Sequence, residues 1–124
     1  MDKQTAENTL RDVYHNVLGR DIDDASLKEH STRLEQNQET VRDVVRNLAH
    51  SSEYNERFLA THPAPPDQIT IAYKQFLGRD PDSEGLETYK KQMSSGKQIG
   101  EVINDLIASQ EYTQKFGDNG SPHP

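Results

Sequence analysis

Apolar positions fall in stripes with helical spacing. Leu10, Val13, Tyr14, Val17 and Leu18 occupy i, i+3, i+4, i+7 and i+8, which predicts one amphipathic helix. Ile69, Ala72, Tyr73, Phe76 and Leu77 give the same stripe, with Tyr73 standing 59 residues after Tyr14. Each stripe runs into Leu-Gly-Arg-Asp, at Leu18–Asp21 and at Leu77–Asp80. Gly19 and Gly78 stand where a helix ends on a left-handed residue, so the tetrapeptide reads first as a stop signal.

Each half then predicts three more helices. Asp23 and Asp82 are placed as N-caps of the second, with Leu27 and Leu34 matched by Leu86 and Met93. In the third, Val41, Val44, Val45, Leu48 and Ala49 match Ile99, Val102, Ile103, Leu106 and Ile107, now 58 residues apart because the connector is one residue shorter. A short fourth helix follows from a Ser cap, a Glu-Tyr pair and a Phe four residues after the Tyr. These are Ser51, Glu53, Tyr54 and Phe58, then Ser109, Glu111, Tyr112 and Phe116. No segment alternates with period two, so no strand is expected. The expectation is an all-α fold of about eight helices in two related halves, an internal repeat within a single compact domain. Its boundaries are a polar N-terminal lead at 1–9, a first helical repeat at 10–60, a Pro-rich linker at 61–68, a second repeat at 69–117 and a flexible tail at 118–124. The three linker prolines read as helix breaks, and the tail GDNGSPHP as turn-forming.

Composition narrows the function. Only 31% of residues are hydrophobic and mean hydropathy is −1.01, values near those of disordered chains, and the repeated stripes decide for a folded one. With 21 acidic residues against 14 scattered basic ones, the charge of −7 argues against nucleic acid and against an anionic membrane surface as partner. The chain has no cysteine, which removes disulfides, thiolate metal sites and thioether-attached cofactors. The polar start MDKQTAENTL shows no signal peptide and no run is long enough to span a bilayer, so the expected location is cytoplasmic, without direct membrane insertion.

Chemistry-bearing patterns are few. His15, His30, His50, His62 and His123 lack metal-ligand spacing. Asp80, Asp82 and Glu84 begin like a calcium loop, but Glu87 and Lys91 stand where such a loop needs an apolar residue and a bidentate Glu. An acidic helix N-terminus explains them equally. No nucleophile triad or phosphate-cradling loop is present, so neither catalysis, cofactor nor small-molecule substrate is expected. Arg20 and Arg79 have two readings: they bond the last carbonyls of the preceding helix or the following aspartates, or they anchor a partner. Candidate partner-binding residues are Arg20, Arg79, Arg42, Arg46, Tyr54 and Tyr112, the tyrosines lying on helical stripes that also suit a core.

These segments in order, VRDVVRNLAHSSEYNERF, IAYKQFLGRD and VINDLIASQEYTQKFGDN, resemble the phycobilisome linker polypeptide domain. The match runs through Tyr14, Val41–Ser51, Tyr54, Phe58, Leu77–Arg79, Ile103–Ser109 and Glu111–Asn119, nearly the whole chain from residue 10. The resemblance implies an all-α scaffold without a chromophore, seated in ring-shaped phycobiliprotein hexamers and associated with thylakoids through that partner. LGRDPDSEGL also resembles a bacterial family of unassigned function found in surface, secreted and polysaccharide-associated proteins. That likeness implies the alternative of a helical adaptor in such a system.

Overall fold

The Asp2 carboxylate accepts the backbone N–H of Thr5 at 2.7 Å and starts the first helix of the computed structural model, which describes residues 1–124. Helix α1 (Lys3–Val13) continues into a π-helical turn at Tyr14–Leu18. It is followed by α2 (Asp24–Glu35), α3 (Val41–Ala49) and α4 (Ser52–Tyr54), which also passes into a π turn at Asn55–Leu59. The remaining helices are α5 (Pro65–Leu77), α6 (Ser83–Ser94), α7 (Ile99–Ile107) and α8 (Gln110–Lys115). There is no strand, and none of the helices is long and apolar enough to cross a membrane.

The caps explain most boundaries. Asp23 accepts from Ser26 N–H at 3.1 Å and Asp82 from Gly85 N–H at 2.6 Å. Ser51 and Ser109 accept from Tyr54 and Tyr112 N–H, each at 3.1 Å. Thr40 and Asp43 form a reciprocal capping box at the start of α3. Gly19 and Gly78 take left-handed φ of 68° and end their helices. Side chains other than glycine pay strain there.

Three expected boundaries are corrected. The polar lead at 1–9 is mostly helix, because Asp2 caps it and Ala6 is buried as the next turn of the Leu10 stripe. The linker ends early: Pro65 and Pro66 open α5 rather than break it, since the first helical positions need no N–H donor. The tail lies along the body. Pro122 is buried, Ser121 Oγ accepts from the Asn16 amide at 3.0 Å, and His123 stands edge-on to Phe116.

One hydrophobic cluster of 22 buried residues draws on both halves of the chain, so there is one core and not two. Helix α5 lies along α7, α1 along α2, and α3 meets α7 across the middle. Helix α2 buries Ser31 and Leu34, whereas α6 buries no residue fully and covers α5 with the half-buried Leu86, Tyr89 and Met93.

Candidate interaction surface

The end of α1 is held by a clasp of charged side chains. Arg20 extends from the residue after Gly19 to the start of α4, where it donates to both Glu53 oxygens at 2.7 and 2.9 Å. Its remaining fork nitrogen donates to the Asp21 carbonyl at 2.9 Å, and its guanidinium lies 5.4 Å from the Tyr14 ring centre. Arg57, one turn after Glu53, donates to the Leu18 carbonyl at 2.5 Å, neutralising the negative end of α1. The same contacts recur at the end of α5. Arg79 grips both Glu111 oxygens at 2.8 Å, donates to the Asp80 carbonyl at 3.0 Å and lies 5.1 Å from the Tyr73 ring. Lys115 donates to the Leu77 carbonyl at 2.7 Å and to Glu111 at 2.8 Å.

These contacts set the local electrostatics. Hydrogen bonding from Arg20 holds the Glu53 carboxyl below the ordinary carboxylate range. Arg79, reinforced by Lys115, draws Glu111 down to about 2. The same pairs raise Arg20 and Arg79 above the ordinary arginine value. Both carboxylates are therefore ionised acceptors at neutral pH and have no proton to exchange in acid–base work.

Arg42 ties α3 to α8. Its guanidinium lies 5.0 Å from the Tyr112 ring centre, donates to Thr113 Oγ1 at 2.8 Å and stands 3.3 Å from Asp118, while its backbone N–H bonds the Asp118 carbonyl at 3.0 Å. Its side chain is 13% exposed against 38% for Arg46, which pairs only with Asp43 on its own helix. Tyr54 and Tyr112 are 1% and 0% exposed, inside the core. Their hydroxyls have no hydrogen-bond partner within the protein. Burial pushes Tyr112 up to about 12 and Tyr54 still further.

The helices that frame these contacts are those of a known family: the family model described as phycobilisome linker polypeptide matches residues 1–124. The chain belongs to that family. A phycocyanin-associated rod linker polypeptide of 32.1 kDa from Nostoc sp. is 33% identical over 123 residues, 98% of this chain and 43% of that protein. Its counterpart from Synechocystis sp. is 32% identical over 120 residues, 95% of this chain and 41% of the relative. The phycobiliprotein ApcE of Cyanophora paradoxa is 31% identical over 127 residues, which is 98% of this chain but 14% of that long protein. The chain thus spans less than half the length of these relatives.

Within this linker domain, the two readings of Arg20 and Arg79 divide in an unexpected way. Neither arginine bonds the preceding helix's last carbonyls; Arg57 and Lys115 do so. The arginines bond across to the Glu of the Glu-Tyr pair. A signal for this partnership was present in the sequence: a basic residue stands four after that Glu in both halves, Arg57 after Glu53 and Lys115 after Glu111. Thr113 and Asp118, the acceptors of Arg42, carried no such signal because they meet α3 only through the fold. The acidic run from Asp80 is engaged locally, Asp80 with Lys74 at 3.4 Å and Asp82 with the α6 cap. No group of three or more His, Asp or Glu side chains gathers as a metal site.

Proposed function

We propose that this chain is a non-catalytic scaffold that binds phycobiliprotein hexamers and helps to organise light-harvesting assemblies. The match of the linker family over all 124 residues carries the reading, since it includes every helix and both arginine clasps. The site chemistry agrees with it: the charged groups are engaged in bonds that hold helix ends, and the strongest pKa shift of a carboxylate favours a permanent ion over a proton donor. The phycocyanin association named for the rod linkers of Nostoc and Synechocystis is the model for the partner. Association with thylakoids then follows through that partner.

Among the six candidate residues, Arg46 is the direct partner contact in this reading, because it is half exposed and bound only to its helix neighbour. Arg20, Arg79 and Arg42 act through the surfaces they brace, and Tyr54 and Tyr112 through the core beneath. The test is co-sedimentation with phycocyanin and allophycocyanin hexamers at low and moderate salt. A stoichiometric complex that weakens with salt, and weakens further on Arg46→Glu, supports the reading. No complex with either hexamer at any salt contradicts it.

A further inference from the structure

Arg42 and Gly100 hold matching places in the sequence, each one residue after the first residue of its helix, Val41 in α3 and Ile99 in α7. On one side of the molecule Arg42 fills the angle between α3 and α8 with its guanidinium, using Thr113 and Asp118 as acceptors. On the other side, between α7 and α4, Gly100 has no side chain to place. The nearest atoms to the position of a Cβ there belong to the His50 ring, at 3.2 Å. His50 itself stands where the other side has Ala108, and it is tied to α7 through Asn104 at 2.7 Å.

Beside His50 a groove of about 300 Å³ is lined by His50, Ser51, Ser52, Asn55 and Glu56. Asn55 occupies the place of Thr113, Arg42's acceptor. Glu56 adds a carboxylate, as Asp118 does for Arg42. Glu56 is exposed and takes part in none of the ion pairs of the fold. The groove therefore offers a free carboxylate, an amide oxygen and hydroxyls, with no basic residue on its walls.

We propose that this groove binds an arginine side chain presented by a partner protein, which supplies the guanidinium that Arg42 supplies on the opposite side. A planar fork engages a carboxylate and a neighbouring amide oxygen together, which a lysine ammonium does less well. The chain's charge of −7 favours a basic contact of this kind. The proposal goes beyond the linker reading and does not depend on the partner being a phycobiliprotein.

The test is an amide-resolved NMR titration of the full chain with N-acetyl-arginine amide, N-acetyl-lysine amide and free arginine. The expected result is saturable shifts confined to His50, Ser52, Asn55 and Glu56. The arginine amide should bind about fivefold more tightly than the lysine amide, and Glu56→Gln should weaken it about tenfold. The double variant His50→Ala/Gly100→Arg gives this side the residues found on the other, and its own guanidinium should abolish the response. Tighter binding of free arginine than of the amide overturns the protein partner in favour of a free amino acid. Shifts scattered over unrelated carboxylates, or unchanged by Glu56→Gln, overturn the site. If the double variant fails to fold, Glu56→Gln alone decides.

Discussion

Around Arg20 the closing cation is Arg57, on the Leu18 carbonyl at 2.5 Å; around Arg79 it is Lys115, on the Leu77 carbonyl at 2.7 Å. The bidentate grip on glutamate is nearly the same in both, at 2.7 and 2.9 Å in one and 2.8 Å twice in the other. The surroundings differ. A Cβ on Gly19 would meet only the side-chain ends of Arg57 and Phe58, at 3.8 and 3.9 Å, whereas one on Gly78 would come within 2.9 Å of the backbone oxygen of His123. Lys115 also bonds Glu111 at 2.8 Å, closer than the 3.3 Å between Arg57 and Glu53. The comparison teaches that the clasp needs an arginine fork for the glutamate but only some cation for the helix end. The second clasp is additionally enclosed by the tail.

The largest break in the comparison is expected in the core beneath the clasps, where Phe76 of α5 holds the stripe position that Val17 holds after α1. Both are fully buried, and Phe76 lies 5.8 Å from the Tyr54 ring. Phe76→Ala should cost about 3–5 kcal/mol and Val17→Ala about 2 kcal/mol in urea unfolding. Equal costs would mean that the two stripes bear equal load. Next come the glycines. Gly19→Ala should cost about 1 kcal/mol for its left-handed backbone, and Gly78→Ala about 1 kcal/mol more for the clash with His123. Deleting Ser121–Pro124 should remove that excess; an excess that survives the deletion would show that the tail is not its cause.

The two glutamates separate by pH. Glu111 is lowered to about 2 in the fold and returns to the ordinary range on unfolding, so its contribution is present above about pH 4.5 and lost as pH falls through about 2. Glu53 is lowered in the same direction and loses its contribution on the same acid side. Both are about one-third exposed, so solvent screening holds each contribution to about 1 kcal/mol. Acid titration of stability should therefore show the wild type's advantage over Glu111→Gln shrinking between pH 5 and 2, with Glu53→Gln following the same trend (about these limits). An advantage constant across that range would remove charge as its source. The smallest effects belong to the unpartnered hydroxyls: Tyr54→Phe and Tyr112→Phe should each change stability by less than about 0.5 kcal/mol or raise it, because no hydrogen bond is lost. Thermal scans that find either substitution strongly destabilising would reveal a partner for that hydroxyl.

Local rules made much of this fold legible. The stripes named buried residues in α1, α3, α5 and α7, and the Asp and Ser caps stand at helix starts, because both signals lie within a few residues of one another. Lys3 and Pro65 were misread where composition outweighed position: a polar lead and a proline pair both turned out to be first helical turns. The π turns at Tyr14–Leu18 and Asn55–Leu59 left no trace in the spacing, since one extra residue in a turn barely shifts an amphipathic stripe. Of the candidate site, the arginines of Leu-Gly-Arg-Asp were visible but their glutamate partners, 33 and 32 residues away, were not assigned to them. Tyr54 and Tyr112 stood equally well as core or contact in the sequence, and burial distinguishes the two only in three dimensions.

The central claim is that the duplicated Leu-Gly-Arg-Asp motif holds the fold together, leaving partner contact to surfaces such as that of Arg46. Thermal unfolding of the double variant Arg20→Gln/Arg79→Gln tests it most directly. With about 1 kcal/mol lost per clasp, the midpoint should fall by about 5–10 °C. An unchanged midpoint accompanied by loss of hexamer binding would contradict the claim and make the two arginines partner contacts instead.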